Sequence, residues 1–285
     1  MAKKKMTVLD FQKYKDEGRK FSYVTCYDYS MATIVDRSDV EVILVGDSLG
    51  MTMLGYANTL PVTLDDMIHH IRPVVKGAPN TFVIGDMPFG AYQESPEQAI
   101  ASAVRMIKET NCDCVKLEGG AKMAPTIKRM VDVGIPVMGH IGMTPQSASN
   151  FGGFKVQGGT PEGALQLIKD AKTLEAAGVF SIVLECVPSC VAKAVQDAVN
   201  VPILGIGAGP DVACQVIVIH DMLDMFGGGF KPKFVKQFAH IGDAMIEGLN
   251  AFHKEVEEGL FPTPEFAFNK QVEIPELGDW EVPEL

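Results

Sequence analysis

The stretch NCDCVKLEGGAKMAPTIKRMVDVGIPVMGH, residues 111–140, contains one complete structural unit. Cys114-Val-Lys-Leu117 is a short β-rich run, Met123 to Val133 carries apolar residues at helical spacing, and Val137-Met-Gly-His140 is a second strand-like run. Between helix and second strand, Gly134-Ile-Pro136 stops the helix and resets the chain, because glycine accepts a left-handed cap and proline cannot extend the turns. Strand, crossover helix and strand imply parallel pairing, since parallel neighbours need a connection of roughly a dozen residues or more.

The unit recurs in both directions. Toward the N-terminus lie Tyr23–Tyr27, Val42–Gly46 and Thr81–Gly85; toward the C-terminus lie Ser181–Leu184, Ile203–Ile206 and Val216–Ile219. With the two strands above, these make eight candidates. Pro96–Glu109, Pro161–Ala177 and Val191–Val199 are amphipathic stretches long enough to be crossover helices, and Gly178-Val179 and Asn200-Val-Pro202 repeat the helix-to-strand turn. Thr63-Leu-Asp-Asp66 has the form of a capping box with Asp in place of Glu or Gln, and Pro161 suits a first helical turn. Eight units in about 230 residues predict a closed (β/α)8 TIM barrel in a single domain, residues 1–262, over an open doubly wound sheet. Pro232–Glu258 reads as an extended helix packing outside the barrel or between subunits. Residues 263–285 read as an acidic, Pro-containing tail, either disordered or an arm that docks Trp280 on a neighbouring subunit.

A net charge of −11 repels phosphate backbones, so nucleic acid is not an expected partner. The basic start is followed by polar Asp10–Lys20 where a signal peptide would be apolar, and no apolar run approaches the ~20 residues of a membrane helix. A cytoplasmic protein with no membrane partner is expected, and its six cysteines read as reduced, buried small hydrophobes.

The chemistry lies where the strands end: Gly46-Asp47-Ser48, Gly85-Asp86, Lys116-Leu-Glu118, Gly139-His140 and Leu184-Glu185. In a parallel barrel all these ends open on one face, so the side chains converge. Any one Asp alone reads as a helix cap or turn residue, but recurrence on successive strands points to a shared task. Several carboxylates in a partly dry cavity repel one another unless a cation or a shared proton compensates. Oxygen donors without a matching His or Cys set favour Mg2+, with Asp47, Asp86 and Glu118 as its ligands. Lys116 alternates with Glu118 and shares its face, either balancing charge or holding a substrate carboxylate. Glu185 is the expected proton acceptor or donor and His140 a supporting group. His69 and His70 are given no role. Gly205-Ile-Gly-Ala-Gly209 follows a strand where barrels often bind phosphate, or else lets another segment approach closely. Gly142–Gly159, long for such a loop, reads as a mobile lid or interface loop.

Gly46-Asp-Ser-Leu-Gly50, Leu60-Pro-Val-Thr-Leu-Asp-Asp-Met67, Asp86-Met-Pro-Phe89, Lys116-Leu-Glu-Gly-Gly120, Pro136-Val-Met-Gly-His140, Thr144-Pro-Gln146, Lys155-Val-Gln-Gly158, Leu184-Glu-Cys-Val-Pro188 and Gly205-Ile-Gly-Ala-Gly209 occur in that order. Together they resemble the ketopantoate hydroxymethyltransferase family. The resemblance implies a (β/α)8 barrel assembled as a homodecamer. It implies Mg2+-dependent transfer of a one-carbon unit from 5,10-methylenetetrahydrofolate to 3-methyl-2-oxobutanoate, giving 2-dehydropantoate. It further implies Asp47 and Asp86 as magnesium ligands with Glu118 third, Asp47, Ser48, Asp86 and Lys116 as contacts of the oxo acid, and Glu185 as proton acceptor. The chain departs from the family pattern at Glu265-Phe-Ala-Phe268, Val212-Ala-Cys-Gln215 and Gly159, which touches the folate-side and tail contacts. The rival readings are a related barrel lyase or mutase acting on phosphoenolpyruvate or a carboxylated pyruvate, and a barrel that has lost catalysis.

Overall fold

In the computed structural model, residues 3–226, 231–276, 278–279, 281 and 283 are described. Eight parallel strands, β1 (Phe21–Thr25), β2 (Val42–Val45), β3 (Phe82–Asp86), β4 (Cys114–Glu118), β5 (Val137–Gly142), β6 (Ser181–Glu185), β7 (Ile203–Ile206) and β8 (Cys214–Ile217), close in sequence order into a barrel. Most strand residues are apolar and buried because both faces are covered. Tyr23, Leu44, Ile84, Cys114, Met138, Val183, Leu204 and Val216 fill the interior. Their alternating neighbours, such as Val24, Ile43, Val83, Val115, Val137 and Ile182, pack outward with residues of the surrounding helices.

The helices follow the expected caps. Helix α1 is Val8–Asp16, α2 Tyr29–Asp36, α3 Leu49–Thr52, α4 Leu64–Gly77, α5 Pro96–Thr110, α6 Ala124–Asp132, α7 Pro161–Ala177, α8 Ser189–Ala198, α9 Ile219–Met222 and α10 Ile241–Glu257. At the start of α4 the Asp66 amide donates to Thr63 Oγ1 at 3.1 Å, and Asp66 Oδ2 accepts the Thr63 amide at 2.9 Å, which completes the capping box. Gly178 closes α7 in the left-handed region at φ 96°.

One element was hidden in the polar N-terminal stretch. Helix α1 lies across the N-terminal end of the barrel and inserts Phe11, fully buried, against the edges of Phe21, Phe82 and Phe180 at centroid distances of 5.3, 5.0 and 5.2 Å. That aromatic plug leaves the C-terminal end as the open mouth.

Three expectations need correcting. The last strand is Cys214–Ile217, because β1 pairs Phe21 with Cys214, and Ile219 instead opens α9 with its amide on Thr25 Oγ1 at 3.0 Å. The Pro232–Glu258 pattern is helical only from Ile241: before it, the Phe238 and Ile241 amides donate to the Met222 and Leu223 carbonyls, tying this segment to the end of α9. Not every cysteine is buried, since Cys190 is exposed and Cys186 half-buried, although all six are free thiols. Trp280, on which the docking-arm reading of the tail rested, lies outside the described residues. Among those residues, no helix is long and apolar enough to cross a membrane.

Candidate active site

The register brings the strand-end residues together. Asp86 pairs with Lys116 across β3 and β4, Glu118 with His140 across β4 and β5, and Gly142 with Glu185 across β5 and β6. Register partners in a parallel sheet point to one side, so a polar ring forms above the apolar filling. Asp47 reaches the ring from the turn after β2, and its backbone amide donates to Asp86 Oδ2 at 3.3 Å. Lys116 Nζ donates to Asp86 Oδ1 at 2.6 Å. His140 stands between two carboxylates, with Nδ1 3.7 Å from Glu118 Oε1 and Nε2 3.4 Å from Glu185 Oε2. Ser48, half-buried beside Asp47, shares a 2.8 Å hydrogen bond between its hydroxyl and that of Tyr27. Asp47, Asp86, Lys116, Glu118 and His140 are all buried, and Glu185 keeps 16% of its side chain exposed.

Burial decides the protonation of this ring. It pushes the Asp47 carboxyl up to about 7, helped by neighbouring Asp86 and opposed by Lys116. Glu118 is held well above the carboxylate range by burial and by Asp47, Asp86 and Glu185, again against Lys116. Burial also lifts Glu185 to about 7. For Lys116 burial alone would depress the ammonium, but Asp86, Glu118 and Asp47 outweigh it and keep the lysine charged. His140 stays neutral, pushed well below its usual value by burial and by Lys116. The ring therefore sets four carboxyl groups against one ammonium: without a cation, protons retained by the raised carboxyls offset the excess, and a divalent cation would take their place.

The donor set fits Mg2+. Asp47 and Asp86 supply hard oxygen donors on neighbouring strand ends, joined through the Asp47 backbone amide, and Glu118 Oε1 is buried without a hydrogen-bond partner. Among the described residues, no three His, Cys, Asp or Glu side chains are placed as a ready-made metal cage. Magnesium does not need one, since it commonly takes one or two carboxylates and completes its shell with water and substrate oxygens.

The family model for ketopantoate hydroxymethyltransferase matches residues 5–264. The chain belongs to that family. A Heliobacterium modesticaldum protein named 3-methyl-2-oxobutanoate hydroxymethyltransferase is 53% identical over 271 residues, 95% of this chain and 98% of its own length. One of the same name from Syntrophomonas wolfei is 51% identical over 274 residues, covering 96% and 98%. Membership makes the chain an enzyme of the hydroxymethyltransferase class. Among solved structures, 2,3-dimethylmalate lyase aligns with TM-score 0.57 at 15% identity over 92% of each chain. Phosphonopyruvate hydrolase, solved with oxalate and Mg2+, aligns with TM-score 0.59 at 11% identity over 91% and 93%. At such identities these two share the barrel fold alone.

For a ketopantoate hydroxymethyltransferase family member, the structure also places residues that the strand-end pattern did not flag. The Gly142–Gly159 loop contains a 3-10 helix at Pro145–Phe151 and seats buried Gln146 inside the ring. The Gln146 amide N–H donates to Glu118 Oε2 at 3.0 Å and its side-chain Nε2 to Asp47 Oδ2 at 2.9 Å. Tyr92, buried on the β3–α5 connection, donates its hydroxyl to Gln146 Oε1 at 2.6 Å and accepts the Glu118 amide at 3.2 Å. The Thr144-Pro-Gln146 motif was the only signal in the sequence, and nothing local to it tells where the glutamine points. Of the glycines after β7, a Cβ on Gly209 would lie 2.4 Å from that of Ser189 and one on Gly207 2.7 Å from the Phe234 ring, so close chain packing accounts for both. A cavity of about 250 Å3 lies past the ends of β4 and β5, lined by Gly119, Gly120, Gly142, Thr144, Gln166 and Asp170 among others. Another, of about 200 Å3, is lined by Lys15 and Lys20, at the opposite end of the barrel, where both already donate to backbone carbonyls.

Proposed function

We propose that the chain transfers the one-carbon unit of 5,10-methylenetetrahydrofolate, with a water supplying the hydroxyl, to 3-methyl-2-oxobutanoate, giving 2-dehydropantoate for pantothenate synthesis and releasing tetrahydrofolate, with Mg2+ held by Asp47, Asp86 and Glu118. One observation carries the reading: a ring of one lysine and four carboxyl groups, buried except for half-buried Glu185, at the open mouth of the barrel, in a chain whose family is that of the hydroxymethyltransferases. When bound, the metal ion would withdraw charge from the 2-oxo acid and acidify the hydrogen on the neighbouring carbon.

The chain's own residues supply the rest. Lys116, charged and fixed by Asp86, would hold the substrate carboxylate or the enolate oxygen, together with Asp47 and the neighbouring Ser48, whose hydroxyl shares a hydrogen bond with Tyr27. Glu185 takes the C3 proton: a carboxyl near 7 is half ionised at neutral pH and still basic enough to remove it. Neutral His140 stands between Glu185 and Glu118, its ring nitrogens 3.4 and 3.7 Å from their oxygens and hydrogen-bonded to neither, and is the supporting group of this reading.

The deciding assay follows 2-dehydropantoate formation with and without Mg2+ and methylenetetrahydrofolate. Dependence on both is expected. Turnover of a phosphoenolpyruvate-type or carboxylated substrate without folate would instead establish the lyase or mutase reading. The proposal extends to a cytoplasmic homodecamer. Supporting assembly, α10 buries only Gly242 and exposes Ile241, Met245, Leu249, Phe252 and Val256 as one apolar stripe.

A further inference from the structure

We infer that Gln146 is a positioning residue which, seated by Tyr92, latches the loop after β5 onto the carboxylate ring and fixes one oxygen each of Asp47 and Glu118. The inference rests on the reading of those carboxylates as the cation-binding side of the site. Three strand ends meet in this one residue. Its backbone N–H holds Glu118 of β4, while its side-chain NH2 reaches both Asp47 beyond β2 and the Met87 carbonyl, at 3.0 Å, beyond β3. Its side-chain oxygen accepts Tyr92 at 2.6 Å and Gln93 Nε2 at 3.3 Å.

Only a primary amide meets these demands, since two acceptors face its nitrogen and two donors face its oxygen. A glutamate would set a carboxylate against Asp47 Oδ2 and the Met87 carbonyl, whereas a leucine would strand three buried polar groups. A flipped amide would fail similarly, pointing its oxygen at two acceptors. Tyr92 sets the orientation because its hydroxyl already accepts the Glu118 amide and so directs its proton to Gln146. Opening the loop therefore requires breaking the bonds to both carboxylates together. With Oε2 committed to Gln146, Glu118 keeps Oε1 without a partner. Loop seating and the arrangement of the ring become one event.

The test compares the parent with Gln146→Leu, Tyr92→Phe and the double variant, using three readouts. These are amide hydrogen exchange of residues 143–151 in cation-free protein, Mn2+ binding by calorimetry, and the split of kcat from KM for the oxo acid. Loss of hydrogen bonds to charged groups predicts about tenfold faster loop exchange and about tenfold weaker Mn2+ binding for Gln146→Leu. Tyr92→Phe should move both in the same direction by less, and the double variant should not exceed Gln146→Leu, because both changes act through one amide. A merely structural glutamine would lower the active fraction while kcat/KM per active site and Mn2+ affinity stayed parental. Parental loop exchange and Mn2+ affinity in Gln146→Leu, or additive effects in the double variant, would overturn the latch. Should Gln146→Leu not fold, Tyr92→Phe, which removes a single oxygen, decides alone by the same readouts. If the parent itself binds no Mn2+, the proposed metal chemistry fails, and loop exchange still judges the latch.

Discussion

Lys116 Nζ lies 2.6 Å from Asp86 Oδ1, with both side chains at most 4% exposed, and the two residues face each other as register partners on adjacent strands. Among the described residues the lysine is the only ammonium inside a ring that also holds Asp47, Glu118 and Glu185, so its charge supports every carboxylate there.

Replacing Lys116 with Met should therefore destabilise the cation-free protein by about 3 kcal/mol at pH 8, since an uncompensated buried carboxylate remains. The loss should shrink at pH 5, where carboxyls freed from the lysine accept protons. Denaturant titration at both pH values checks this, and an equal loss at the two would contradict the electrostatic account.

Glu185 with a carboxyl near 7 predicts that kcat/KM rises as pH increases through about 7, because the base must be ionised. Glu185→Gln should slow turnover by roughly 10²- to 10⁴-fold and abolish exchange of the C3 hydrogen of the oxo acid with heavy water. Exchange at the parental rate would remove Glu185 from the role of base.

The same group contributes to stability with a defined sign. Its folded value stands above the ordinary 4.5, so its contribution is complete below about 4.5 and disappears as pH rises through about 7. Glu185→Gln, lacking that proton, should show less decline in unfolding free energy between pH 5 and pH 8 than the parent, by up to roughly 3 kcal/mol.

Phe11→Ala should cost about 3–5 kcal/mol of stability, because three aromatic edges lose their partner in a closed space. The plug sits at the far end of the barrel from the carboxylates, so KM for the oxo acid should stay parental in the folded fraction. A large KM change with little loss of stability would mean that the plug shapes the mouth.

Leu249→Glu with Phe252→Glu should leave the barrel folded and reduce the assembled mass seen by sedimentation, since both side chains are more than half exposed in the isolated chain. An unchanged mass would show that α10 does not carry the assembly.

Much of this molecule was legible in the chain. The eight strands, their crossover helices and the caps at Thr63, Pro161 and Gly178 are local, periodic features, and residue spacing reports them directly. The strand-end acids, Lys116 and Glu185 were legible too, because a parallel barrel sends all such ends to one face. The exceptions come from long-range contacts. Phe11 sat in a polar stretch whose one buried side chain has meaning only against Phe82 and Phe180, and the start of β8 was set by pairing with Phe21. Gln146 gave no local sign of its partners, since Asp47 is 99 residues away in sequence and Glu118 28. By itself the sequence determined the elements and the side chains facing the mouth. Tertiary structure decided which oxygen meets which donor, because a hydrogen bond depends on fractions of an ångström that closure of the whole barrel sets.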